Sequence, residues 1–322
     1  MNQRYRVLVT PQALAVQPQS ISETLTEGEG FDVEFTGGPV HDRARLKAWL
    51  SDKHAAILGV ERIDADVLAA TPELRLLARF GVGYDCIDLA AAGARGVRVA
   101  VTPNLSSPAV ARHTVALVLA LLHNLGPART SLAAEQWDRR LTKAAPDTVL
   151  GIAGLGSIGL ATATLAARFG FRVAYWARAE KPEVREAGFL YCETFDALIE
   201  AADVISLHLK ADPSLDHLVN ARRLRATAGK FLVNTARGSL VDEAALLTAL
   251  DAGTLSGAAL DVFEVEPVRD ISARLAAHPL VVATPHVASF DTEAVGLMGR
   301  AAADNVRYFS RGQFDRVRVF VG

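Results

Sequence analysis

The feature that most constrains this chain is the run TVLGIAGLGSIGLATATLAARFG at 148–170. An apolar, strand-like segment leads into glycines at 154, 156 and 159, which open a helix-like segment of small and apolar residues. This is the G-x-G-x-x-G turn of a parallel β/α unit. Gly154 permits the tight turn. Gly156 lets the backbone approach a pyrophosphate, and Gly159 lets helix and strand pack closely. The amides around Ser157 and Ile158, with the positive end of the helix dipole, favour an anion there. A tight turn without a ligand has the same spacing, so the motif takes its weight from the strand, the helix and the second strand beyond it.

The context repeats along the chain. Short apolar runs at 7–10, 32–35, 55–59, 74–80 and 97–102 alternate with segments whose apolar residues recur at helical spacing. The alternation restarts at 148 and continues through RVAYWA (172–177), DVISLHL (203–209), KFLVNTA (230–236), SGAALDVF (256–263) and LVVATPH (280–286). It predicts an α/β protein with two parallel-sheet domains of the Rossmann or flavodoxin-like kind. An apolar helix is predicted over 106–126, capped by Ser106 or Ser107 and ended by Gly126-Pro127. Its apolar surface exceeds what one domain is expected to cover, which points to a homodimer. The amphipathic segment TEAVGLMGRAAADNVRYFSRG (292–312) is too isolated to form a domain, so the chain is expected to return there to its first domain.

The 322 residues suffice for two domains with separate cores. A formal net charge of -2 gives no electrostatic reason to expect nucleic acid or an anionic membrane as partner. The opening MNQRYRVLVT has no leader pattern, and the longest apolar run, 115–122, is far short of the ~20 residues that span a bilayer. A cytoplasmic location is expected. Cys86 and Cys192 form no framework and are expected as free thiols, and no CxxC or HExxH spacing suggests a metal.

Four further stretches are distinctive: FGVGYDCIDLAAAGARGVRVAVTPN (80–104), VNTARGSLVDEAAL (233–246), ALDVFEVEP (259–267) and TPHVASFDTEAV (284–295). Their order and spacing around GLGSIG resemble the D-isomer-specific 2-hydroxyacid dehydrogenases, from about residue 50 to 312. The resemblance implies a dinucleotide-binding domain, 104–286, inserted into a substrate domain formed by 1–103 and 287–322. It implies a catalytic triad of Arg237, Glu266 and His286. Each residue type suits the chemistry of reducing a 2-oxo acid. A histidine titrates near neutral pH and can donate the proton. A carboxylate on its other ring nitrogen orients it and stabilises imidazolium. A guanidinium grips the substrate carboxylate through paired donors. The resemblance further places Val82 and Gly83 in a loop whose N–H groups bind the substrate carboxylate. Thr235, Ala236, Asp261 and His286 fall at the nicotinamide end, beside the loop residues Gly154, Gly156, Ser157, Ile158 and Gly159.

Three departures from the family pattern stand out. Arg112 replaces a usual glutamate, so a common interaction near the hinge is expected to be missing. Its neighbour His113 is read as packing. Leu209-Lys210 follows His208 where Val-Pro is usual, so the adenine pocket is expected to differ. A separate point concerns VAYWAR (173–178): an NAD-specific site places a carboxylate about twenty residues after the glycine motif, and Ala177-Arg178 stands there instead. Loss of the acid and gain of a guanidinium, with Lys181 nearby, predict that NADPH is preferred, with NAD possible. The expected activity is reduction of a small 2-oxo acid such as glyoxylate or hydroxypyruvate. D-3-phosphoglycerate dehydrogenase is the alternative, disfavoured because the chain ends soon after the final helix. A dinucleotide-sensing corepressor-like binding protein is the less favoured reading from another class.

Overall fold

A computed structural model describes residues 4–321. The chain divides into two compact units, one holding the chain through Ser106 and again from Phe290, the other Ser107–Ser289. The divisions fall at 106/107 and 289/290, against 103/104 and 286/287 read from the sequence.

The first unit is built on strands β1 (Tyr5–Val9), β2 (Phe31–Phe35), β3 (Ala55–Leu58), β4 (Leu76–Arg79) and β5 (Arg98–Val101). These five are parallel in the order 5-4-3-1-2. The final helix, Thr292–Ser310, packs on β3, β4 and β5. It buries Ala294, Val295, Met298, Ala301, Ala302 and Val306, a one-sided stripe at helical spacing, and Asp291 caps it by accepting the Ala294 N–H at 2.7 Å.

The second unit carries β6 (Val149–Ala153), β7 (Arg172–Trp176), β8 (Leu190–Cys192), β9 (Val204–Leu207), β10 (Phe231–Asn234), β11 (Gly257–Leu260) and β12 (Val281–Ala283). All are parallel, in the order 12-11-10-9-6-7-8. Alternate residues feed two cores on opposite faces. Ile205, Leu207, Leu232, Ala258 and Leu260 belong to one; Leu150, Ile152, Val204, Val233 and Ala259 belong to the other. A sheet covered on both faces needs apolar residues at successive positions, which is why these strands read as continuous apolar runs. The order reverses at β6, so the loops after β6 and β9 meet at the switch point.

Several features differ from the sequence reading. The predicted 106–126 helix ends at Leu122, and a second helix, Leu125–Ala133, starts after Asn124, whose φ of 52° is left-handed. Gly126-Pro127 does not end a helix. It sits in the first turn of the next, where proline's missing N–H costs nothing. The apolar surface of Ser107–Leu122 is also covered within its own unit: Val115, Leu117, Val118, Leu121 and Leu122 join the core that contains Leu150 and Ile152. A third element, β13 (Val319–Val321), escaped the sequence reading. It adds antiparallel to β5 as a three-residue edge strand.

The glycine loop provides a direct stability test. A Cβ at Gly159 would collide with the Gly154 carbonyl oxygen, which is backbone and cannot swing away, whereas a Cβ at Gly156 meets nothing within 4 Å. Gly159→Ala is expected to destabilise the protein by about 2 kcal/mol or more. Gly156→Ala is expected to stay within about 1 kcal/mol of wild type. Denaturant titration of both variants measures the contrast.

Candidate active site

Five loops at the carboxyl ends of the parallel strands carry the candidate residues of the second unit. After β6, Gly154 takes a φ of 97° and donates its N–H to the Trp176 carbonyl at 2.8 Å, fixing the loop to the end of β7. The helix Ser157–Arg168 starts at Gly156 with no side-chain cap, so its first-turn amides are not taken up by a capping side chain. Open space before Gly156 and an uncapped helix start fit a dinucleotide pyrophosphate. His208, after β9, packs beneath this loop. Its carbonyl oxygen lies 2.6 Å from where a Gly154 Cβ would be, and its Nε2 pairs with Ser206 Oγ at 2.9 Å. Burial pushes the His208 imidazole down to about 4, so the ring is neutral at neutral pH and adds no charge to the loop.

Arg178 lies two residues beyond β7 and is exposed. Its charge reaches Asp212 on the loop after β9. The Asp212 carboxyl is held below its usual range first by the side-chain and backbone donors of Ser214, with Arg178 contributing least.

Arg237 follows β10. The Asn234 side chain shapes this turn, donating to the Arg237 carbonyl at 2.8 Å and accepting the Ala236 N–H at 3.0 Å. Thr235 Oγ1 bonds Thr114 Oγ1 at 3.0 Å, tying the turn to the helix Ser107–Leu122. Gly238 has no room for a side chain, because a Cβ there would collide with the backbone of Phe263 and Glu264. The Arg237 turn is therefore pressed against the loop that carries Glu266.

Asp261 and Glu266 follow β11, and His286 follows β12. His286 Nδ1 and Glu266 Oε2 are 2.8 Å apart, and Glu266 Oε1 accepts the Phe263 N–H at 3.0 Å. Burial alone would raise the Glu266 carboxyl. The hydrogen bond and charge of His286, the Phe263 N–H and the Arg237 charge outweigh it and hold Glu266 below its usual range. Both side chains remain partly open, at 39% for His286 and 32% for Glu266. His286 Nε2 is the ring nitrogen not committed to Glu266.

Asp261 is 1% exposed and holds the His286 segment. Its carboxylate accepts from Thr284 Oγ1 at 2.6 Å, from the Val287 N–H at 2.9 Å and from the Ala288 N–H at 3.0 Å. Its carbonyl accepts the His286 N–H at 2.8 Å. His113 joins this cluster. Its Nε2 lies 3.1 Å from Thr284 Oγ1 and 3.6 Å from Asp261 Oδ1, so the packing role read from the sequence is corrected to a polar one. No local pattern signals this contact, because 171 residues separate His113 from Thr284.

Val82 and Gly83 belong to the other unit, in the loop after β4. Arg79 braces that loop, donating from Nε to the Gly83 carbonyl at 2.6 Å and from its guanidinium to the Leu58 carbonyl at 3.1 Å. Thr102 holds the loop's other side, exchanging bonds with Gly81. Gly81 has a φ of 134°, which a side chain would strain.

Comparison with known proteins shows the family to which the chain belongs. The profile described as D-isomer specific 2-hydroxyacid dehydrogenase, NAD binding domain, matches residues 115–288. The chain is 37% identical over 317 residues to D-3-phosphoglycerate dehydrogenase of Mycobacterium leprae, covering 96% of this chain and 59% of that protein. It is 35% identical over 285 residues to glyoxylate reductase of Thermofilum pendens, covering 84% and 82% of the two chains. Among solved structures, NADPH-dependent glyoxylate/hydroxypyruvate reductase of Sinorhizobium meliloti, crystallised with NADP and malonate, superposes with a TM-score of 0.78. It shares 33% identity, over 96% of this chain and 95% of that one. The chain thus belongs to the D-isomer-specific 2-hydroxyacid dehydrogenase family and carries its nicotinamide-dinucleotide-binding domain. It spans only about three fifths of the mycobacterial relative's length.

Proposed function

We propose that this protein reduces small 2-oxo acids, glyoxylate or hydroxypyruvate among them, to D-2-hydroxy acids with a nicotinamide cofactor, and catalyses the reverse oxidation. The observation that carries the reading is the Glu266–His286 pair, 2.8 Å apart, beside the Arg237 turn. When bound, the nicotinamide supplies or accepts the hydride at substrate C2. His286 Nε2 gives the proton to the carbonyl oxygen, while Glu266 stays ionised and stabilises the imidazolium. Arg237 binds the substrate carboxylate and polarises the carbonyl. Gly154, Gly156, Ser157, Ile158 and Gly159 receive the pyrophosphate, with Thr235, Ala236 and Asp261 at the nicotinamide end. To the other unit we assign the substrate role read from the sequence, through the Val82 and Gly83 N–H groups. Likeness to D-3-phosphoglycerate dehydrogenase favours a second reading, so the test panel includes 3-phosphohydroxypyruvate beside glyoxylate and hydroxypyruvate. Turnover is expected on the unphosphorylated acids, and His286→Ala is expected to lower kcat by roughly 10²–10⁴-fold. Absence of turnover across the panel, or near-normal kcat in His286→Ala, would overturn the assignment.

The cofactor we propose is NADPH in preference to NADH, with Arg178 as the reader of the 2′-phosphate. Arg178 stands at the end of β7, where a carboxylate would repel that group. Because Arg178 is exposed, its effect is modest and screened by salt. Asp212 opposes it. At fixed substrate, Arg178→Ala is expected to lower the NADPH:NADH ratio of kcat/KM by about tenfold, and Asp212→Ala to raise it. A wild-type preference for NADH, or an unchanged ratio in Arg178→Ala, removes this reading.

A homodimer remains our proposal, on other residues than the sequence suggested. Among the exposed apolar side chains, Leu132 at 59%, Trp137 at 81% and Leu141 at 101% follow in sequence after the helix Ser107–Leu122. Light scattering is expected to give the mass of two chains, and Trp137→Ala with Leu141→Ala to reduce it to one. A single-chain mass for the wild type contradicts the proposal. The location we propose is the cytoplasm, where the free thiols of Cys86 and Cys192 stay reduced.

A further inference from the structure

Glu243 is a carboxylate to which the proposed mechanism assigns no task. It stands in the first turn of the helix Glu243–Asp251, a place where an acidic residue normally faces water and complements the helix dipole. Here it is 4% exposed. Its Oε1 accepts the Glu264 backbone N–H at 2.9 Å, and its Oε2 accepts the Ser272 hydroxyl at 2.6 Å. Ser272 is 1% exposed and lies on the helix Asp270–Ala276. One buried carboxylate thus joins two helices to the loop between β11 and the second of them.

The bond to Glu264 falls at a telling place. Glu264 N–H and the Phe263 carbonyl share one peptide group. Phe263 also donates its own N–H to Glu266 Oε1 at 3.0 Å. Glu266 Oε2 then meets His286 Nδ1 at 2.8 Å. From the other side the same peptide is pressed by Gly238, whose missing Cβ lets the Arg237 turn lie against Phe263 and Glu264. The Glu264 side chain is held outward by His217 Nε2 at 2.7 Å. The segment that aims Glu266 is therefore fixed by Gly238, Glu243 and His217, and of these three only Glu243 is a buried side chain bonded to its backbone.

We propose that Glu243 is a positioning residue for Glu266: by holding the Phe263–Glu264 peptide it sets the geometry of the Glu266–His286 hydrogen bond. The proposal rests on the assignment of Glu266 and His286 to the proton transfer. A carboxylate at full hydrogen-bond contact stabilises the protonated ring, and a displaced one does so less. Loosening Glu243 therefore makes His286 lose its proton at lower pH. The protonated ring is the donor for reduction, so the alkaline limb of the reduction profile moves down with it. Glu266 faces the charges of His286 and Arg237. His113 and Asp261 face each other behind the His286 backbone, and Asp242, the neighbouring cap, bonds the Ala245 N–H.

The experiment titrates the His286 ring by NMR in the full chain labelled with ¹⁵N-histidine, and records kcat/KM for glyoxylate reduction against pH. Glu243→Ala and Glu243→Asp, which withdraw the acceptor, are expected to lower the His286 midpoint by about 0.5 pH unit or more, roughly a threefold change in the imidazolium ratio. The alkaline limb is expected to shift with it. Glu243→Gln keeps an acceptor for Glu264, and the Ser272 hydroxyl can turn to accept from its amide, so it is expected to restore the wild-type midpoint. Should Glu243→Ala or Glu243→Asp fail to fold, Ser272→Ala removes one anchor of the carboxylate and is expected to give a smaller shift in the same direction. Folded variants with lowered Tm but an unmoved His286 midpoint would show Glu243 to be structural only and overturn the proposal. A wild type without turnover whose His286 midpoint still moves in the variants would overturn the proposed activity and leave the positioning role standing.

Discussion

The arrangement of the second unit depends on one buried carboxylate. Asp261 directly follows β11 and takes three donors from the segment after β12: the Thr284 hydroxyl and the N–H groups of Val287 and Ala288. Between them sits His286, whose φ of 53° is unusual for a residue with a side chain. A non-glycine residue held there costs about 1–2 kcal/mol. Hydrogen bonds to a charged acceptor contribute about 1.5–3 kcal/mol each, so three of them outweigh that strain. The strained backbone turns the imidazole toward Glu266, and the buried carboxylate keeps it there.

The same device recurs at smaller scale. Carboxylates whose neighbours are backbone amides set the loops, while the side chains assigned to chemistry stay partly open. Asp261 holds 284–288 and Glu243 holds 264. In the first unit, Glu61 accepts the N–H groups of Gly59 and Val40. These acceptors are nearly sealed from water, at 1%, 4% and 2% exposed, which strengthens their bonds and makes an unpartnered donor costly. His286 and Glu266 stay open to solvent, as the proton transfer proposed for them requires. Support is buried and function is open, on loops that strand ends already aim to one side of the sheet.

Elements governed by hydrophobic periodicity were legible in the sequence, whereas ties between distant residues were mostly hidden. Strands β3, β4, β6, β9, β10 and β11 were legible because burial on both faces writes continuous apolar runs. The edge strands β8 and β13 were not read. The helix break at Asn124 was misplaced because Gly126-Pro127 is the stronger local signal, although proline is as much at home in a first turn as after a last one. The residues of the candidate site were legible from their motifs. Their supports were not: a first-turn Glu243 looks like an ordinary dipole partner, and the tie between His113 and Thr284 spans 171 positions.

The phosphate loop and the end of β7 solve different electrostatic problems, and the difference bears on which dinucleotide is chosen. At the loop, positive potential comes from amide dipoles at an uncapped helix start, and His208 beneath it is held neutral by burial. In our proposal that arrangement receives the pyrophosphate common to both cofactors, so it would not tell them apart. On the proposed reading discrimination falls to the adenosine side, where Arg178 brings a full charge that the amides do not. Arg178 is exposed and Asp212 lies within reach of its field, so its attraction for a 2′-phosphate is screened by solvent and partly offset. An NAD-type site would enforce its choice with a carboxylate that excludes the phosphate outright. On the cofactor reading we propose, Ala177 and Arg178 lift that exclusion and add only a solvent-screened attraction, so the proposed selectivity is graded: it would favour the phosphorylated cofactor most at low ionic strength and still admit the other.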